Sequence, residues 1–330
     1  MAFAASITVS TGCLPSSDQE VVVYCALDKE FSEPILKQFE EEFGVDVLEK
    51  FDLESNKTVG LANEILQQSD KQRCDVFWNN EILHTLRLKQ AGLLEVYPSP
   101  LADQYPSQFV SAENDWYGFA ARARVLLVNT DLLPSQDDRP NSVFDLADPK
   151  WKGKCCLAKP FFGTTATHAA VLYSELGADR ANKFFKAVTE NASVEAGNKQ
   201  VAIAVSRGTY AFGLTDTDDA IIEVEQGNPV AIVFPDQGES ESGTLFIPNT
   251  LCITKGPNVE NAKRLVDYLL QKEIEEQLAQ GASAQIPINI QSKVTSRVEP
   301  QDLKVKQVDF EAAARAWEES KSNLKQLFPL

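Results

Sequence analysis

Short apolar runs alternate with amphipathic helical stretches along most of this chain, and that alternation limits what it can fold into. Val21-Val22-Val23-Tyr24 has the length and β-branching of a buried strand. Phe31, Ile35, Phe39 and Phe43 recur every four residues, with Leu36 beside them, which predicts a helix over 32–43. Pro34 is expected in its first turn, where a missing N–H costs nothing, and Gly44 is the C-terminal stop. A strand over 45–51 follows, then a helix carrying Val59, Ala62, Ile65 and Leu66, a strand over 75–78, and a helix with Leu83, Leu86 and Leu88 that stops at Gly92. Strands and helices taking turns at this spacing define the α/β class, with a parallel sheet covered by helices on both faces.

The rhythm changes after Tyr97, where Pro98, Pro100 and Pro106 punctuate a loop-rich stretch. A long extended segment is expected over 117–129, around Val125-Leu126-Leu127-Val128. A second series follows: a strand at 155–158, helices over 165–175 and 178–189, a helical stretch at 201–205 and a strand at 210–214. A third segment begins at Gly243, with 244–254 extended and a strongly amphipathic helix through Ala262, Leu265, Val266, Leu269 and Leu270. The chain ends in a helix around 310–327 with Ala313, Trp317 and Leu324 on its apolar side. Two α/β units in one chain place a ligand cleft between them, at the carboxyl ends of their strands.

Composition narrows the function. A length of 330 residues suits two domains, and 43% apolar with 24% charged residues suits a packed globular core. No apolar run approaches the roughly 18 residues a membrane helix needs. The net charge of −17 repels phosphate backbones, so nucleic acid is not an expected partner; an acidic surface also serves solubility. The six cysteines form no CxxC pair, and with two histidines no zinc pattern arises. Cys155 and Cys156 are adjacent, a poor geometry for a disulfide, so they are expected as buried small hydrophobes. The uncharged MAFAASITVSTG leads straight into Cys13, and it resembles the end of a lipoprotein signal, which makes Cys13 a lipidation candidate. An ordinary disordered tail is the other reading, and 1–19 is set apart from the fold either way.

The candidate site residues cluster at strand ends. Phe162-Gly163-Thr164-Thr165-Ala166-Thr167-His168 joins a strand to a helix. Free N–H groups, the helix dipole and the hydroxyls there suit an anion, although a plain Thr N-cap explains the same residues. Thr215-Asp216-Thr217-Asp218-Asp219 is a dense oxygen cluster suited to a metal ion or a ligand ammonium, or alternatively a solvated loop with a helix cap. Asp28 follows the first strand, and Asn80 and Glu81 follow the third, each also placed as a helix cap would be. Arg122 and Arg124 alternate onto one face of the long extended segment, where they suit a carboxylate or phosphate clamp or salt bridges to Asp or Glu. There is no GxSxG, HExxH or strand-borne GxGxxG, and neither His84 nor His168 has a nucleophile paired to it, so no enzyme is expected.

Taken together, VVVYCALDKEFSEPILKQFEEEFGV, CDVFWNNEILHTLRLKQAGLL, YGFAARARVLLVNT, DPKWKGK and ENAKRLVDYLLQKEIEEQLAQG resemble, in order and over about 21–284, the extracellular solute-binding proteins of bacterial ABC importers, in the branch of the periplasmic ferric-binding proteins. The resemblance implies two α/β lobes joined by crossing hinge strands around a ligand cleft: 20–122 plus 243–290 as one lobe, and 123–242 plus 291–330 as the other. It implies a location in the periplasm or on the outer face of the cytoplasmic membrane. It also implies an ABC permease and ATPase as partners, a monomer, and a small solute as ligand. In ferric-binding relatives the position of Asp28 often holds a His, a Glu falls at Asn80, and a tyrosine pair falls at Thr217 and Asp218. A synergistic anion rests on the helix start matching Gly163, Thr164 and Thr165, with an Asn matching Asn198. The anion half is kept in type while the phenols are replaced. Fe(III) or another hard metal ion with a synergistic anion is therefore one implied ligand, with Asp28 and Asp218 as its metal ligands. The other is a small organic phosphate, phosphonate or zwitterion.

Overall fold

The computed structural model describes residues 19–51, 59–68, 71, 73–300 and 302–328. Cys13 and the rest of the expected leader up to residue 18 lie outside the described residues.

The chain opens with strand β1 (Glu20–Cys25) and helix α1 (Lys29–Phe43). Strand β2 (Asp46–Phe51), helix α2 (Val59–Gln67), strand β3 (Val76–Asn79) and helix α3 (Leu83–Gln90) follow. Helix α1 begins earlier than its apolar repeat, so Pro34 sits in its second turn rather than its first. Gly44 closes α1 in the left-handed conformation, its N–H bonded to Glu40 O.

Strand β4 (Tyr117–Asn129) is buried along its whole length. Beyond it come strand β5 (Cys155–Ala158), helices α4 (Gly163–Leu176) and α5 (Ala178–Asn191), strand β6 (Ser193–Glu195) and helix α6 (Asn198–Ser206). Strand β7 (Phe212–Asp216) runs directly into helix α7 (Thr217–Glu225), and strand β8 (Val230–Val233) follows. The third segment holds strand β9 (Phe246–Ile253) and helices α8 (Val259–Leu269), α9 (Lys272–Gln280) and α10 (Phe310–Leu327). None of the helices among the described residues is long and apolar enough to cross a membrane.

The strands form one mixed sheet in the order β2-β1-β3-β9-β4-β7-β5-β6, with β8 also paired to β4. The expected parallel sheet is therefore corrected. The pairs β1–β2, β1–β3, β5–β6 and β5–β7 are parallel, but β9 runs antiparallel to both β3 and β4. The long β4 joins the two halves. Its first part pairs with β9, Arg122 opposite Ile247, and its second part pairs with β7, Arg124 opposite Asp216. A register shift between Phe119 and Ala121, with Ala120 at φ +44°, kinks the strand before the two arginines.

Each half has its own aromatic centre. Trp78 lies 5.4 Å from Phe119 in one, and Trp151 lies 5.1 Å from Phe212 in the other. The C-terminal α10 packs along α4 and α5, and its first residue Phe310 reaches Phe109 at 6.2 Å. The five described cysteines, Cys155 and Cys156 among them, are buried free thiols, as the sequence suggests.

Candidate functional site at the seam between the two halves

The carboxyl ends of β3, β5 and β7 meet the middle of β4 along one seam. Its centre is Arg124, which is fully buried. Arg124 Nη1 donates to Asp216 Oδ1 at 2.6 Å, Thr164 Oγ1 at 3.2 Å and Asn198 Oδ1 at 3.2 Å, and Nη2 donates to Thr165 Oγ1 at 3.3 Å. Thr164 in turn donates to Asp216 Oδ2 at 2.5 Å, and Asn198 Nδ2 donates to the same oxygen at 2.8 Å. Thr165 donates to Asn198 Oδ1 at 3.0 Å. Thr164, Thr165, Asn198 and Asp216 thus form one closed network around the guanidinium. The helix start is shaped by Gly163, which opens α4 at φ +54°. Space is free there, so backbone strain alone disfavours a side chain.

Asp216 ends β7, and Thr217 begins α7. The acidic cluster is therefore a strand end and a first helical turn, not a loop. Thr215 and Thr217 are buried and internally used: Thr215 Oγ1 donates to Asn198 O at 3.0 Å, and Thr217 Oγ1 accepts Ala123 N–H at 3.2 Å. The carboxylates of Asp216, Asp218 and Asp219 lie within 4.8 Å of one another; Asp28 is not a member of that group. Asp28 is half-buried at the head of α1, where its carbonyl accepts Ser32 Oγ at 3.0 Å.

Arg122 spans the seam. Its Nη1 donates to Asn80 O at 2.7 Å, its Nη2 donates to Asn249 Oδ1 at 3.1 Å, and its Nε lies 2.9 Å from Asp218 Oδ2. The two arginines share a strand face yet serve different partners, one set in the second half and one across the junction. Glu81 is buried and its carboxylate is filled from both sides. It accepts Asn79 Nδ2 and His84 N–H at 2.9 Å, Leu83 N–H at 2.5 Å, and Thr167 Oγ1 of α4 at 2.9 Å. Glu81 caps α3 and ties it to α4.

Asn249 was not among the sequence candidates, and Thr167 entered only as part of the 162–168 segment. Asn249 stands with Thr250 as a polar pair in the middle of an entirely buried strand, which is the signal that marks it. Burial first, then the nearby Arg124 and Lys306 charges, holds His168 well below the usual imidazole range, so it is neutral. A cavity of about 330 Å³ is lined by Arg124, His168, Asp236 and Lys306, but by no other residue of the seam.

The fold is that of the two-lobe periplasmic binding proteins. The chain belongs to the bacterial extracellular solute-binding protein family, whose model matches residues 84–314. The major ferric iron-binding protein of Neisseria meningitidis serogroup B is 26% identical over 314 residues, covering 90% of this chain and 88% of that protein. The ferric binding protein from Campylobacter jejuni superposes with a TM-score of 0.84 at 22% identity, over 93% of this chain and 99% of its own. The periplasmic binding protein AfuA from Actinobacillus pleuropneumoniae, with exogenous fructose-6-phosphate bound, gives a TM-score of 0.77 at 26% identity, over 93% and 98%.

Proposed function

We propose that this protein captures a small solute outside the cytoplasmic membrane and delivers it to an ABC permease and its ATPase, without catalysing a reaction. The ligand best matched by the geometry carries both signs of charge: a metal ion with a synergistic anion, or a zwitterion such as an aminophosphonate. One observation carries this reading. A buried arginine and a partly exposed carboxylate, Arg122 and Asp218, face each other across the seam 2.9 Å apart, with Asp219 beside them. A ligand of one sign satisfies only one side of such a pair.

Two specific features divide the choice. The three clustered carboxylates favour a hard cation, ferric iron among them, as the likeness to the Neisseria protein does. Two arginines already pair with two of those carboxylates, which favours an organic phosphate or phosphonate that also bears a cationic group. The AfuA likeness supports that second choice.

Native mass spectrometry of protein purified without chelators tests the proposal. A retained mass matching a metal–anion pair, or a phosphate or phosphonate that also bears a cationic group, supports it. A neutral sugar or a peptide in the cleft overturns it.

A further inference from the structure

We infer that Arg122 is the residue that sets specificity, by an exchange of partners: its Nε takes an anionic oxygen of the ligand, and Asp218, with Asp219 beside it, turns to the ligand's cationic part. This deepens the reading given above and rests on it.

The geometry of the pair points to the exchange. Arg122 Nε is 2.9 Å from Asp218 Oδ2, yet its N–H is not directed at that oxygen and the nitrogen is buried without a hydrogen-bond acceptor. The charges are paired while the donor is left unsatisfied, a costly arrangement at a buried position. The arginine cannot turn to correct it. Nη1 is held by Asn80 O, just after β3, and Nη2 by Asn249 Oδ1 of the neighbouring β9. The acid is the more exposed partner: its side chain is 26% exposed against 5% for Arg122, and it sits in the first turn of α7, where its Oδ1 accepts Asp219 N–H at 3.0 Å. An oxygen arriving from the solvent side therefore finds a fixed donor, and the carboxylate it replaces is the more solvent-exposed of the two groups.

Arg124 provides the contrast. It also has a buried Nε without an acceptor, but its side chain has no solvent exposure, and both its Nη atoms are held in the Thr164–Thr165–Asn198–Asp216 network. Its acceptors are themselves cross-bonded to one another, so none is free to turn to a ligand as Asp218 is proposed to do. Of the two arginines on this strand face, one builds the site and the other reads the ligand.

Exchange makes selectivity a matter of charge count. A ligand with both signs replaces one internal pair by two new ones. A pure anion leaves Asp218 beside its own negative charge, and a pure cation must compete with Arg122 for the carboxylate. An unpaired charge at such a site weakens binding by about a hundredfold or more.

Titration calorimetry with 2-aminoethylphosphonate, ethylphosphonate, ethanolamine, and ferric iron with phosphate tests this on the wild type, Arg122→Gln, Arg122→Lys and Asp218→Asn. In the wild type a two-sign probe should bind about a hundredfold tighter than either one-sign probe. Asp218→Asn should reduce that preference to less than about tenfold, by weakening the two-sign probe and strengthening ethylphosphonate. Arg122→Gln should lose the phosphonate contribution, with Arg122→Lys between, because an ammonium cannot hold three acceptors in one plane. Should Arg122→Gln fail to fold, the double variant Arg122→Gln/Asp218→Asn, which strands neither charge, replaces it and should show no preference among the probes. Two-sign binding at wild-type strength in Arg122→Gln or the double variant overturns the inference and leaves the ligand reading standing. Tight binding of a one-sign probe alone, or of no probe, by the wild type overturns the ligand reading itself.

Discussion

Asp216 is the acid whose charge this seam can least do without, because it is buried against Arg124 and accepts from Thr164 and Asn198 as well. Removing one member of such a pair strands the other, at a cost of about 3–5 kcal/mol. Arg124→Met and Asp216→Asn should each lower the free energy of unfolding by that order in denaturant titrations. The double variant should lose much less than their sum, since neither charge is then unpaired. Additive losses would mean that the two side chains are not a pair. Thr164, Thr165 and Asp216 were legible as types, because they stand at strand ends where a site belongs; Asn198 was marked only by the family resemblance. Their joint closure around Arg124 was not legible, because partners 18 to 92 positions apart are chosen by sheet order rather than by any local pattern. The same holds for Glu81, whose sequence position reads as a helix cap but whose bond to Thr167 crosses 86 residues.

At the level of elements, periodicity located the long strands and helices to within a few residues, since each carries a continuous buried stripe. It missed β6 and β8, which are short and have no fully buried residue, and α9, whose Ile274 and Leu278 repeat lies among glutamates. Gly213 shows how tightly the central strands approach. A Cβ there would meet Val201 Cγ1 at 2.5 Å and Cys156 Sγ at 2.8 Å. Gly213→Ala should therefore destabilise by about 1–3 kcal/mol, read from the denaturant midpoint, and a stability gain would show that α6 can shift away. Glu275 of α9 is a second pinned position. Its buried carboxyl accepts Ala120 N–H at 2.5 Å, Asn289 N–H at 2.7 Å and Ile288 N–H at 3.1 Å. Burial pushes it up to about 7 from 4.5, although the three backbone donors pull it down. The folded state thus holds this proton more firmly than the unfolded chain. The group's contribution to stability is full below about pH 4.5 and is lost as the pH rises towards about 7. Wild-type stability relative to Glu275→Gln should fall between those values and then level off. A difference that is constant with pH would refute this.

For the whole molecule, β4 runs through both halves of the sheet, and the backbone is strained where it turns beside that strand. Ala120 and Ala284 both adopt left-handed conformations, at φ +44° and +47°, and Ala121 bridges Ile286 beside them. Closure about these points on ligand binding should reduce the radius of gyration in small-angle scattering, and an unchanged profile at saturating ligand would argue against hinge motion. The interrupted order of α/β units already hints at two bodies in the sequence, but the place of β9 between β3 and β4 is not written there. That placement has a further consequence, for the order of assembly. Strand β3 never touches β4; each is joined to a strand that the ribosome completes only at residue 253. The first half can form β1, β2 and β3 early, yet its sheet keeps an open apolar edge until more than three quarters of the chain has emerged. Contacts this distant in sequence form slowly, and open edges invite wrong pairing. A nascent chain of this protein must be kept from aggregating until its third segment arrives.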